Sequence, residues 1–140
     1  MDAEKVAAFF SEAVEAEDTK YFHPHPFTQG EALRVCADAG KDVYAAVFRV
    51  GELVAYGLLR GWNDGWETPS LGIIVKREAR GAGIARVFMN FLHTEARLRG
   101  ATRVRLRVAP ANTRALALYR SMGYQFVSEE RGELVGIVCL

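Results

Sequence analysis

Between an apolar run at residues 71–75 and a helix-patterned segment opening at Ile84 stands Arg80-Gly81-Ala82-Gly83-Ile84-Ala85. The order of strand, glycine loop and helix sets both the local fold and what it can hold. Glycine leaves backbone N–H groups bare and lets the chain turn where a Cβ would clash, so successive amides converge on an anion at the helix N-terminus. Arg80 adds a fixed positive charge beside them. A nucleoside triphosphate P-loop is excluded, because Gly-x-x-x-x-Gly-Lys-Ser/Thr is absent. A dinucleotide fingerprint also fails: Gly81 and Gly83 are followed by Arg86, where a third small residue would have to pack.

The chain has 140 residues, half of them hydrophobic, which suits a single domain over residues 1–140 with a real core and is too short for two. A formal net charge of +1 gives no broad pull toward nucleic acid or a membrane, so anion recognition must be local. Cys36 and Cys139 fall in apolar helix-like and strand-like segments, which suits buried reduced thiols and a cytoplasmic location better than a disulfide framework. The first residues are acidic and amphipathic rather than a basic leader, and no apolar run reaches membrane-spanning length.

Val6, Phe9, Phe10, Ala13 and Val14 recur at helical spacing and predict a helix over residues 2–17. His23-Pro24-His25-Pro26 breaks it into a stiff loop, since each proline removes a donor and holds its predecessor extended. Thr28 and Glu31 form a capping box that starts a second helix, ending at Gly40. The β-branched and aromatic runs 43–50 and 53–59, separated by Gly51-Glu52, predict an antiparallel hairpin. Trp62-Asn63-Asp64-Gly65-Trp66 is a turn carrying two indoles, and Gly72 marks a bulge or break in the strand at 71–75.

The next helix carries an apolar stripe of Ile84, Val87, Phe88, Phe91 and Leu92 opposite Arg86, Asn90, His93 and Arg97, which places His93 at the surface; it stops at Gly100. Residues 103–108 alternate Arg103, Arg105 and Arg107 with apolar residues, a strand with one solvated face and no aromatics to stack on bases. Residues 114–121 form a short helix closed by Gly123, and strands follow at 124–128 and 134–138 with Arg131-Gly132 in the turn.

Val75 ahead of the glycine run, then Val108-Ala109-Pro110-Ala111-Asn112 with Ala115, then Tyr119-Arg120-Ser121-Met122-Gly123-Tyr124, together resemble the GNAT superfamily of acetyl-CoA-dependent N-acetyltransferases from Val43 to the C-terminus. The resemblance implies an α/β (α+β) fold: a mixed, mostly antiparallel sheet of about six strands flanked by about four helices, with the family's usual first strand missing. It also implies acetyl-CoA as cofactor. Arg80, Gly83 and Ala85 match the family's Gln/Arg-x-x-Gly-x-Gly/Ala pattern and would hold the pyrophosphate, with Gly81, Ala82 and Ile84 supplying further N–H groups. Ile73 and Val75 would make main-chain contacts to the pantetheine arm on a splayed strand, the Val75 amide facing the thioester carbonyl, and Asn112 would bond the cofactor from the far side. Ala85 and Tyr124 stand where the family commonly has Gly and Phe.

Amide formation by direct attack on a thioester needs a neutral amine, a donor for the oxyanion of the tetrahedral intermediate, and a proton for the thiolate. By family position Tyr119 is the general acid. Glu67, ahead of the strand and on the parity of Ile73 and Val75, is the first choice of base, with His25 and His23 as alternatives. His25, Trp62 and Trp66 are expected to line the acceptor pocket, and His23-x-His25 has no third ligand beside it for a metal. The expected partner is a small-molecule amine, amino sugar or polyamine-like. The alternatives are a CoA-binding regulatory module without turnover and acetylation of a protein N-terminus or lysine. The apolar end at 134–140 would support a homodimer if it formed an exposed edge.

Overall fold

The computed structural model describes residues 1–15, 24–37 and 40–140. Its elements are α1 (Ala3–Glu15), α2 (Gln29–Ala37), β1 (Val43–Arg49), β2 (Glu52–Arg60), β3 (Ser70–Val75), α3 (Ile84–Leu98), β4 (Arg103–Val108), α4 (Thr113–Ser121), β5 (Gln125–Glu130) and β6 (Glu133–Cys139). The strands form one six-stranded sheet in the order β1-β2-β3-β4-β6-β5, antiparallel except where β3 meets β4. No strand precedes α1 among the described residues, so the chain opens on a helix as its first residues suggest. None of the described helices is long and apolar enough to cross a membrane.

The hairpin turns follow from backbone freedom. Val50 and Gly51 between β1 and β2, and Arg131 and Gly132 between β5 and β6, all have positive φ (51°, 78°, 50° and 80°), the conformation whose twist suits two-residue hairpins. Two cores sandwich the sheet. On one face Phe88, Met89 and Leu92 of α3 and Leu116 of α4 pack on Leu59, Leu71, Val104, Leu106 and Val108. On the other, Val6, Phe9 and Phe10 of α1 and Ala32 and Val35 of α2 pack on Tyr56, Leu58 and Ile74. Full burial of one such side chain contributes about 1.5–3 kcal/mol, so each helix is fixed by its apolar stripe.

The strand pair β3–β4 shapes the molecule's functional side. Its single register pair is Ser70 with Arg105, after which the two parallel strands diverge. The Lys76 N–H donates to the Val54 carbonyl of β2, and antiparallel hydrogen-bonding alternates, so the backbone groups of Ile73 and Val75 turn the other way, into the gap.

Several expectations need correction. Gly72 sits in an unshifted β2–β3 ladder; the strand splays because its pairing with β4 ends, and the sheet's irregularities lie at Val47/Phe48 and Phe126/Ser128. His93 is buried, with Nε2 2.7 Å from the Tyr124 hydroxyl, whereas Val87 and Phe91 are exposed. The buried stripe of α3 runs through Phe88, Met89, Leu92, His93 and Ala96, and a hydroxyl partner lets the imidazole join it. Thr28 Oγ1 accepts the Glu31 N–H at 3.1 Å, but the Glu31 carboxylate completes no box; it accepts from Arg34 at 2.6 Å and lies 3.8 Å from His25. Cys139, at the end of β6, is exposed rather than buried. Because β6 lies between β4 and β5, the apolar end is no sheet edge, and the ground for a dimer through it falls.

Burial pushes the pKa of both His25 and His93 below the ordinary imidazole value. The unfolded chain therefore takes up protons before the folded one as pH falls, so this stability is full above about pH 6.5 and declines below it. The Glu31 carboxyl, held low by Arg34, acts only in a more acidic window. Urea midpoints should fall between about pH 7 and pH 5, and His93→Gln should flatten that slope. A midpoint constant across this range would contradict the assignment.

Candidate active site

The glycine loop follows a one-turn helix at Arg77–Ala79. Gly81 and Gly83 have φ of 86° and 79°, and Gly83 is the N-cap of α3 without offering a side chain. The first intrahelical bond runs from Val87 N–H to Gly83 O, so the N–H groups of Ile84, Ala85 and Arg86 have no helical acceptor. No acid stands in that first turn to occupy them. The result is a concentration of bare donors at the positive end of a four-turn dipole. Arg80 Nε donates to the Val75 carbonyl at 2.9 Å and ties the loop to the end of β3.

The gap between β3 and β4 opens into a cavity of about 750 Å³. Ile73, Val75, Arg80, Gly81, Gly83, Ile84 and Ala85 line one wall and Val108, Asn112, Ala115, Leu118 and Tyr119 the other; Ala82 is outside the lining. A Cβ on Gly81 or Gly83 would meet no protein atom within 4 Å, so hydrogen there keeps open space beside the amides. Asn112 Oδ1 accepts the Ala115 N–H at 3.3 Å, capping α4 and leaving its amide NH₂ as a donor. The cavity thus offers a donor cradle, a strand edge with no strand beside it and an apolar far wall. A diphosphate with an amide-containing arm, such as coenzyme A, fits that donor set.

Tyr119 lines this cavity from the last turn of α4. Burial pushes its phenol up to about 12, yet its hydroxyl is not sealed off and has no bonding partner among the described residues. Its ring lies 5.8 Å from that of Tyr124, which His93 holds by its hydroxyl. This support was not read from the sequence; the Tyr-x-x-x-Gly-Tyr spacing carried the signal.

A second cavity of about 670 Å³ continues from the first, sharing Leu71, Gly72 and Arg107 with it. Trp66 lines it, its ring 5.8 Å from the Arg105 guanidinium, which also reaches Glu130 at 3.0 Å. Gly61 sets the indole's position: at φ 122°, a Cβ there would lie 2.6 Å from Trp66 Cε3. Asp64, Glu130 and Glu133 supply carboxylates that sequence reasoning missed, the last two brought opposite one another by the β5–β6 turn. The arginine face of β4, expected to be merely solvated, gives Arg105 and Arg107 to this wall because no helix covers that part of the sheet.

Other candidates lie elsewhere. Trp62 packs against the α3 core with Arg99 5.6 Å from its ring, outside both linings. Glu67 is exposed ahead of β3 and lines neither cavity. His25 is buried in the α1–α2 core, also outside both linings, with Nε2 2.7 Å from Tyr56 Oη and Nδ1 2.7 Å from the Pro26 carbonyl. A carbonyl only accepts, so Nδ1 carries the proton and Nε2 accepts from the tyrosine. Both nitrogens are committed. His23 lies outside the described residues.

The sequence profile of the acetyltransferase (GNAT) family matches residues 8–124. No curated protein matches the chain. Among solved structures, the GNAT domain of S. lividans PAT superposes with a TM-score of 0.85 at 23% identity, over 99% of this chain and 85% of that one. The ribosomal-protein-alanine N-acetyltransferase from Brucella melitensis gives 0.80 at 20% identity over 100% and 97%. The PaiA N-acetyltransferase from Thermoplasma acidophilum, in complex with coenzyme A, gives 0.79 at 12% identity over 100% and 96%. At these identities the likeness is one of fold.

Gly83→Ala should weaken coenzyme A binding about fivefold to thirtyfold in a calorimetric titration, because the free loop relaxes out of the left-handed region and binding must restore it at about 1–2 kcal/mol. Unchanged affinity would remove the loop from the site.

Proposed function

We propose that this protein, which belongs to the acetyltransferase (GNAT) family, moves the acetyl group of acetyl-CoA to a primary amine of a small molecule. The observation that carries the reading is the meeting of the two cavities at Leu71, Gly72 and Arg107, with the bare α3 N-terminus in the lining of one and a half-open polar pocket forming the other. The second cavity is sized for a small ligand and walled by Trp66, Pro24 and the β5–β6 turn. Four arginines in that wall, Arg60, Arg105, Arg107 and Arg131, repel a polycation, which favours an amino sugar over a polyamine.

Bound acetyl-CoA supplies the thioester: the amine nitrogen bonds to the acetyl carbon, the C–S bond breaks, and the proton the amine gives up balances the one the thiolate gains. In this reading Arg80 and the amides of Gly81 to Arg86, with Ala82 contributing only its N–H, hold the diphosphate. Ile73 and Val75 align the arm, Asn112 donates from the far wall, and the Val75 N–H faces the oxyanion. A phenol near 12 stays protonated at neutral pH and is a weaker acid than an ordinary thiol of about 8.5. Tyr119 therefore acts by donating a hydrogen bond to the departing sulfur, and the proton the thiolate finally takes is the one the amine gives up. Glu67 would reach the amine only through water from its exposed position.

Thiol release with acetyl-CoA and a panel of amines tests the reading. Tyr119→Phe should lower kcat about tenfold to a hundredfold with the KM for acetyl-CoA little changed, the loss of one hydrogen bond to a developing charge. Full turnover in the variant would remove the phenol from the reaction. Coenzyme A binding without thiol release for any amine or peptide would leave a binding module in place of an enzyme.

A further inference from the structure

The second cavity is provided with more positive groups than its own acids neutralise. Arg105 is committed to Glu130 and Trp66, and even so its buried Nε–H has no acceptor. Arg60 donates to a neutral carbonyl, that of Pro24. Arg107 and Arg131 have no hydrogen-bond or ion-pair partner among the described residues. Arg60 also lies in the field of the Glu31 carboxylate, and against the exposed, unpaired guanidiniums of Arg107 and Arg131 stand the carboxylates of Asp64 and Glu133, likewise without partners among the described residues. Such a wall has places for both signs, with the surplus positive.

Position divides the work. Arg107 lies where the cavities join, and Arg131 stands on the β5–β6 turn in the lining of the same pocket. A guanidinium binds carboxylate or phosphate oxygens through paired N–H donors and cannot accept a hydrogen bond, so it has nothing to offer an ammonium. Resting on the acetyl-transfer reading above, we propose that the acceptor is a small amine that also carries an anionic group, carboxylate or phosphate, held by Arg107 and Arg131 while its amine faces the thioester. The acids then orient the cationic end before it loses its proton.

Matched acceptors that differ only in the anion test this. β-Alanine against 3-aminopropanol probes a carboxylate, and phosphoethanolamine against ethanolamine a phosphate. In at least one pair the anionic member should have a kcat/KM about tenfold to a hundredfold higher, and Arg107→Gln and Arg131→Gln should each bring that ratio toward one. The pair that responds identifies the anion. Ratios at or below one in the unaltered protein, or ratios that neither substitution moves, overturn the proposal. Calorimetric binding of the same four amines to the coenzyme A-loaded protein separates this from the parent reading. If no amine is turned over but an anionic member binds and Arg107→Gln abolishes that binding, the arginine site stands and acetyl transfer falls. If the anionic members bind no better than the neutral ones, the arginine site falls.

Discussion

Two parallel strands that pair at Ser70 and Arg105 and then part company determine the rest of the site. A sheet normally satisfies its main-chain groups by continuing, and the divergence leaves those of Ile73 and Val75 facing a gap. The gap persists because each side is held independently. β3 is locked to β2 along its whole length, and β4 is locked to β6 from Arg103 to Val108. The α3 core bridges both, with Leu71 and Val104 packed in one cluster, so the strands cannot zip together without disturbing well-filled apolar layers.

The ends of that gap have different electrostatic characters for structural reasons. At one end an α-helix begins without a capping side chain and without an acid in its first turn, so its positive pole faces the cavity. At the other, no helix covers the second face of β4 and β6, and arginines that alternate with core residues along β4 meet carboxylates delivered by the β5–β6 turn. The two cavities meet at Leu71, Gly72 and Arg107, while the Val75 edge and Tyr119 stand in the lining of the first alone. Tyr119 packs beside Tyr124, whose hydroxyl is in turn bonded by His93.

Two histidines illustrate why local pattern misleads. His25, in a Pro-rich loop, has the composition of a pocket residue, but the aromatic rings of Phe10, Phe27 and Tyr56 surround it and both nitrogens are bonded. His93 occupies a helix position that polarity alone assigns to solvent, and a hydroxyl from a distant segment makes its burial tolerable. Trp62 and Trp66 sit four residues apart in one turn, yet one packs on the core and the other on the pocket, a division made by the close contact at Gly61.

What the sequence determined by itself was local: the helices and hairpins from apolar periodicity and turn residues, and the glycine loop ahead of α3 from glycines whose φ angles no other residue adopts cheaply. These depend on interactions within a few residues, which a linear reading can see. Tertiary structure alone decided where β3 parts from β4, which carboxylates and arginines share a wall, and which imidazoles are buried. Those depend on partners such as Arg105 and Glu130, or His93 and Tyr124, that lie 25 and 31 residues apart along the chain and meet only after the sheet has closed.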